Sequence, residues 1–121
     1  MIIVIPSNRS INLDYFQPLI DVGARFIIVD DTEGSISVNH PQFSVYNWGD
    51  RRRLLGDNEI AIPRRNGACR DLGFVIAWKE SGRDEIVVAL DDDCEVYSNT
   101  FARDVEDSLS DRARPLANCE G

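Results

Sequence analysis

This chain of 121 residues holds one histidine, His40, and one lysine, Lys79. A single histidine cannot build a His-rich transition-metal centre. A metal here would therefore take oxygen ligands, which points to magnesium, manganese or calcium. Cysteine is also sparse. Cys69, Cys94 and Cys119 are odd in number and widely spaced, so neither a zinc pattern nor a disulfide framework is expected. A reducing, cytoplasmic setting is the natural expectation. No apolar run reaches membrane-spanning length. The opening run, Met1 to Ile5, is short and has no basic segment before it, so no signal peptide is expected. Positive charge is in deficit: 13 Lys+Arg stand against 21 Asp+Glu, a formal net charge of −8. That balance argues against a broad nucleic-acid or anionic-membrane surface. It leaves room for an anionic small ligand, because the arginines are concentrated at Arg51, Arg52 and Arg53 and at Arg64, Arg65 and Arg70.

Apolar residues make up 43% and charged residues 28%, the proportions of a globular rather than a disordered chain. One domain over residues 1–111 is expected, with a frayed tail over 112–121. Met1 to Ile5, Phe26 to Val29 and Ile86 to Leu90 are continuous apolar runs that read as buried strands, and Phe43 to Tyr46 as a shorter one. Asp14 to Val22 suits a short helix, with Asn12 or Asp14 as its cap and Gly23 as its stop. Trp48 to Leu55 reads as a helical turn or two ended by Gly56, and Ile60 to Ile62 as a brief apolar stretch. The clearest helix opens at Asn66 and runs to about Lys79, with Cys69, Leu72, Gly73 and Ile76 at i, i+3, i+4, i+7. Phe101 to Leu109 reads as a final amphipathic helix capped by Asn99 or Thr100. Strands alternating with helices predict an α/β fold with a mainly parallel sheet flanked by helices.

Asp91, Asp92 and Asp93 follow the Ile86–Leu90 run directly, so three carboxylates emerge at the carboxyl end of a strand. Ligands bind at that edge of open α/β sheets. A divalent cation would neutralise the acids and bridge to phosphates, and Asp91 with Asp93 has the D-x-D spacing for it. The alternative is a solvated acidic turn. Pro6-Ser7-Asn8-Arg9 follows the first strand and offers hydrogen bonds and a guanidinium, or is an ordinary loop. Asp30-Asp31 ends the second strand, suited to ribose or base donors, or is a polar turn. Arg64 to Arg70 sets three arginines at a helix start, where the dipole disfavours cations unless an anion joins them. Its alternative is a basic loop paired with the acid triplet. Cys94 reads as a small buried hydrophobe or a thiol near a metal. Trp48 and Trp78 read as core or rim aromatics, with Trp48 also a candidate for the pocket wall, and His40 as an exposed loop residue.

Tyr46-Asn47, Asp50, Leu55-Gly56, Ala68-Cys69-Arg70, Gly73-Phe74 and Asp91 to Cys94 occur in that order. They are preceded by Val4-Ile5-Pro6 with Arg9, and by Ile27-Ile28-Val29 with Asp31. Together these residues resemble the reversibly glycosylated polypeptide family, which includes the plant UDP-arabinopyranose mutases. The resemblance covers roughly Met1 to Val96, and the stretch after Leu109 lies outside it. It implies a GT-A-like, Rossmann-like nucleotide-diphospho-sugar transferase fold binding a UDP-sugar through Mn2+ or Mg2+. It implies Asp91 and Asp93 as metal ligands, Asp31 at the uridine, and Arg9 and Arg70 near the phosphates. Pro6, Asp91 and Asp92 complete the implied ligand-binding set, and no catalytic residue is assigned. Family members are much longer, interconvert pyranose and furanose forms of UDP-arabinose, and glycosylate themselves on an arginine beyond the matched region.

The expected function is that of a UDP-sugar-binding, glycosyltransferase-like protein, a UDP-arabinopyranose mutase or a self-glycosylating transferase. Its chemistry would be metal-assisted departure of UDP. The alternative is a truncated, non-catalytic nucleotide-sugar-binding module. A third reading, a magnesium-dependent phosphoacceptor domain, wants a lysine after a late strand, and Lys79 falls on a helix. The expected partner is a UDP-sugar, with no nucleic acid and no membrane span; homo-oligomerisation is left open.

Overall fold

The structure is a computed structural model and describes residues 1–65 and 67–110. The expected tail over 112–121 and the expected helix opener Asn66 lie outside the described residues. Four strands, β1 (Ile2–Ser7), β2 (Arg25–Asp30), β3 (Phe43–Tyr46) and β4 (Val87–Ala89), form one all-parallel sheet in the order β3-β2-β1-β4. Val4 stands opposite Ile27 on one side and Ala89 on the other. Strands β1 to β3 advance in one direction, and β4 returns to the far side of β1. The strand order therefore reverses between β1 and β4, which opens a crevice at their carboxyl ends.

The apolar runs are continuous because β1 and β2 are covered on both faces. Ile2, Val4, Ile27 and Val29 pack against Leu72, Ile76 and Ala77 of helix α3 (Cys69–Glu80). Ile3, Ile5, Phe26 and Ile28, with Phe43 of β3 beside Phe26, face the opposite layer, built from Phe16, Leu19 and Val96, with Phe101 of α4 (Phe101–Ser110) against it. Each fully buried Ile or Leu contributes on the order of 1.5–3 kcal/mol through lost apolar hydration. Gly73 sets the spacing of α3. A Cβ there would lie 2.3 Å from Val4 Cγ1 and 3.1 Å from Val29 Cγ2, so only glycine lets the helix lie this close to the sheet.

Several elements differ from expectation in detail. The helix expected over 14–22 is a 3-10 turn, Leu13–Phe16, followed by α1 (Gln17–Asp21). Pro18 has no N–H to return to Asp14, so a continuous α-helix cannot form across it. Asn12 caps this segment, its Oδ1 accepting from Asp14 N at 3.1 Å. Helix α2 (Trp48–Leu55) is opened by a reciprocal capping box between Asn47 and Asp50. Gly56, at φ +54°, ends it and starts a 3-10 helix over Gly56–Ala61. Strand β4 is half-buried rather than buried, because it bonds to β1 on one side and no strand among the described residues covers its other edge. Trp78, expected at core or rim, is 78% exposed. His40 is half-buried, edge-on to Phe43 at 5.3 Å. Among the described residues, no helix is long and apolar enough to cross a membrane.

Candidate functional site

A cavity of about 970 Å³ opens at the carboxyl edge of the sheet, over the point where the strand order reverses. Its wall comes from four places. Pro6, Ser7, Asn8 and Arg9 leave β1; Asp31, Thr32 and Glu33 leave β2; Arg65, Gly67, Cys69 and Arg70 lead into α3; and Asp91, Asp92 and Asp93 leave β4. All seven candidate residues read from the sequence, Pro6, Arg9, Asp31, Arg70, Asp91, Asp92 and Asp93, thus line one cavity.

Their environments differ sharply. The Asp92 side chain is only 8% exposed. It accepts from Ser7 Oγ at 2.5 Å and from Arg9 Nε and a terminal guanidinium nitrogen at 3.0 and 2.7 Å. The Arg9 hydrogen bond holds the Asp92 carboxyl below its ordinary range, with the Ser7 bond adding to it against the cost of burial. The same contact raises Arg9 further above its usual value. Asp91 and Asp93 are 60% and 68% exposed. The Asp91 carboxylate accepts from Arg70 at 2.6 Å, and Asp93 lies 3.7 Å from Arg9. The middle acid is therefore a buried anchor, and the outer two present carboxylates to the cavity.

The two acids at the end of β2 also divide. Asp30 is buried and closes the following turn, accepting from Thr32 N, Thr32 Oγ1 and Ile36 N. Asp31 faces the cavity side and accepts from Trp48 Nε1 at 3.1 Å and Arg65 N at 2.8 Å. It thereby ties β2 to α2 and to the loop before α3. Arg65 takes a left-handed backbone, φ +52°, uncommon for a side chain with a Cβ. The guanidinium carbons of Arg64 and Arg65 lie 4.8 and 5.3 Å from the Trp48 ring centroid. Such contacts favour cations over an indole face.

Three arginines and five carboxylates line the cavity, which leaves a formal charge of −2. One ligand atom each from Asp91, Asp93 and Cys94 lies within 4.8 Å of the others. Two accessible carboxylates form a hard-donor pair of the kind magnesium and manganese take, with waters filling the remaining positions. The donor set therefore fits the expected ion. Cys94 is half-buried and belongs to this cluster, whereas Cys69 is buried. Burial pushes the Cys69 thiol up, and the charge of Asp31 adds to it. The cavity wall contains no lysine. Lys79 lies ten residues along α3 from Cys69, about 15 Å at helical rise. A phosphoacceptor site is left without its lysine.

One buried charge escaped the sequence reading. Arg51 is 3% exposed and donates to Glu59 Oε1 at 3.2 Å and to the Glu59 carbonyl at 3.0 Å. Glu59 also pairs with Arg52 and Arg64, and the Arg64 hydrogen bond holds its carboxyl low. This hub fixes the approach to Arg65. The signal was present in the helical phase: Arg51 lies three and four residues before Leu54 and Leu55, on the apolar side of α2.

A parallel α/β sheet with a charged cavity over its strand-order reversal defines a Rossmann-like α/β protein. The chain belongs to the reversibly glycosylated polypeptide family, whose sequence model matches residues 1–116. It is 32% identical over 107 residues to a probable UDP-arabinopyranose mutase 4 of Arabidopsis thaliana. It is 29% identical over 111 residues to UDP-arabinopyranose mutase 1 of Oryza sativa subsp. japonica. Each match covers 85% of this chain and 28% of the relative. The chain thus spans under a third of the length of these curated relatives. No solved structure matches it significantly.

Proposed function

We propose that the cavity binds a UDP-sugar, with the diphosphate held between the Asp91–Asp93 pair and the guanidinium groups of Arg9 and Arg70. The observation that carries this reading is the composition of the wall: an accessible carboxylate pair faces arginines from β1 and α3 across one cavity of net charge −2. A bare diphosphate would meet net repulsion there. A divalent ion would bring the wall to neutrality, removing that repulsion and placing positive charge beside the diphosphate. Asp91 and Asp93 would hold Mn2+ or Mg2+, which supplies positive charge to the departing diphosphate. Arg9, fixed by Asp92, holds a guanidinium over the β1 end of the cavity. Asp31 and the Trp48–Arg65 corner it braces form the nucleoside end.

The relatives' names extend the reading to arabinose. In a mutase of UDP-arabinose, the C1–O bond to UDP breaks and later re-forms; in between, O4 closes on C1 as the C1–O5 ring bond opens, and the proton lost from O4 is balanced by one gained at O5. Self-glycosylation belongs to the same chemistry, with an arginine as the acceptor. This chain corresponds to a minor part of each relative's length, which favours nucleotide-sugar binding as the activity to test first. A binding module without turnover is the second reading.

The test is calorimetric titration of UDP and UDP-arabinopyranose with Mn2+ and with EDTA, repeated on Asp93→Ala. Binding that needs Mn2+ and is lost in Asp93→Ala is expected. Binding that ignores both EDTA and the substitution would remove the carboxylate pair from the site. Chromatography of the bound UDP-sugar then separates a mutase, which yields the furanose form, from a module that returns it unchanged.

A further inference from the structure

We propose that Arg70 is a displaceable counter-ion of the site: it neutralises Asp91 while no ligand is bound, yields that carboxylate to the divalent cation, and takes the diphosphate instead. The inference rests on the nucleotide-diphosphate reading of the cavity and adds how cation and nucleotide are coupled within it.

Three arginine–aspartate contacts meet at the site: Arg9–Asp93 is a 3.7 Å approach, and the two hydrogen-bonded pairs are built differently. Arg9 grips Asp92 through two nitrogens, and Asp92 is buried and also held by Ser7. That pair has no reason to open. Arg70 touches Asp91 through one nitrogen, the two side chains are 40% and 60% exposed, and the Arg70 Nε–H is buried with no hydrogen-bond partner among the described residues. A buried donor left unpaired is costly, so the present pose does not satisfy this guanidinium. Arg70 is also the second residue of α3, where the helix dipole opposes a cation. It needs an anion, and among the described residues Asp91 is the one it is paired with.

Asp91 is at the same time a member of the candidate cation cluster with Asp93 and Cys94. A divalent ion at that cluster and a guanidinium on the same carboxylate repel each other. Entry of the ion therefore loosens Arg70, and the released side chain, next to the ion and lacking an anion, faces the cavity as a phosphate donor. Linkage makes the effect reciprocal: whatever the cation does for the diphosphate, the diphosphate does for the cation.

Removing Arg70 should therefore strengthen the binding of the cation and weaken that of the diphosphate. Mn2+ binding is measured by electron paramagnetic resonance of the unbound ion, on wild type, Arg70→Gln and Arg70→Lys. UDP binding is then measured by calorimetry with and without saturating Mn2+. Arg70→Gln is expected to bind Mn2+ roughly two- to fivefold more tightly, the range an exposed ion pair supports. Arg70→Lys, which keeps the competing charge, should stay near wild type. The gain in UDP affinity brought by Mn2+ should shrink in Arg70→Gln. Equal or weaker Mn2+ binding in Arg70→Gln would overturn the inference and leave the UDP site standing. No Mn2+ binding to either protein would overturn the metal reading of the site, and this inference with it.

Discussion

Asp91, Asp92 and Asp93 are chemically identical and adjacent, yet their environments give them different work. Asp92 turns inward to Ser7 and Arg9, and Asp91 and Asp93 turn outward. The triplet lies in the turn after β4, closed by Cys94 N–H donating to the Asp91 carbonyl at 3.1 Å, and that turn sends Asp92 inward and its two neighbours outward. Replacing Asp92 with Ala should cost about 1–3 kcal/mol, the penalty for stripping a charged partner from a buried polar contact. Urea denaturation at neutral pH measures it. Asp91→Ala, exposed and held by one hydrogen bond, should change stability by less than about 1 kcal/mol. The cysteines differ in the same way. Burial keeps the Cys69 thiol protonated and covered, while Cys94 is half-buried beside the outer acids. Iodoacetamide labelling followed by peptide mass spectrometry should modify Cys94 well before Cys69, and Mn2+ should slow the reaction at Cys94.

Helix α3 is the element that joins core to cavity. Its first residues, Cys69 and Arg70, line the cavity, and its middle lies against β1 and β2. The near contact at Gly73 therefore sets where Arg70 stands. Gly73→Ala would drive a methyl into Val4 Cγ1. We expect a loss of about 1–3 kcal/mol, typical of overpacking. Val4→Ala in the same protein should recover part of that loss, so a double-mutant cycle by denaturant unfolding should give a favourable coupling. Additive losses would show that α3 moves away as a body. Helix α2 was legible from sequence in extent but not in role. Its capping box and the Arg51–Glu59 contact place Trp48 where it meets Asp31.

For the molecule as a whole, the acidic excess coexists with carboxylates held in the ionised form by arginines. Asp92 and Glu59 both have folded-state values below their ordinary ones, through Arg9 and Arg64 respectively. A depressed carboxyl contributes stability that is fully present above its unfolded value, about 3.9 for Asp and 4.3 for Glu. That contribution is lost as pH falls through the folded value. The melting temperature should accordingly fall steeply below about pH 4. Asp92→Asn should have a lower melting temperature at neutral pH and a shallower acid decline. Calorimetric melts across the acid range check both.

The sequence by itself determined the strands, their parallel arrangement and the position of the acid triplet. Continuous apolar runs bounded by turn residues are local patterns, and a strand covered on both faces has no other way to be written. It also put Pro6, Arg9, Asp31 and the acid triplet at or just after strand ends and Arg70 at a helix start, since the end of an apolar run is a local signal. Tertiary structure alone decided which of them meet. Ser7 and Asp92 are 85 residues apart, Arg70 and Asp91 are 21 apart, and Trp48 reaches Asp31 across 17. The first two pairings follow from β4 returning beside β1 and α3 settling on Gly73, and the third from α2 standing at the end of β2, none of which a local pattern encodes. The half-burial of β4 was likewise invisible, because an apolar run states what a strand can bury and not which neighbour covers it.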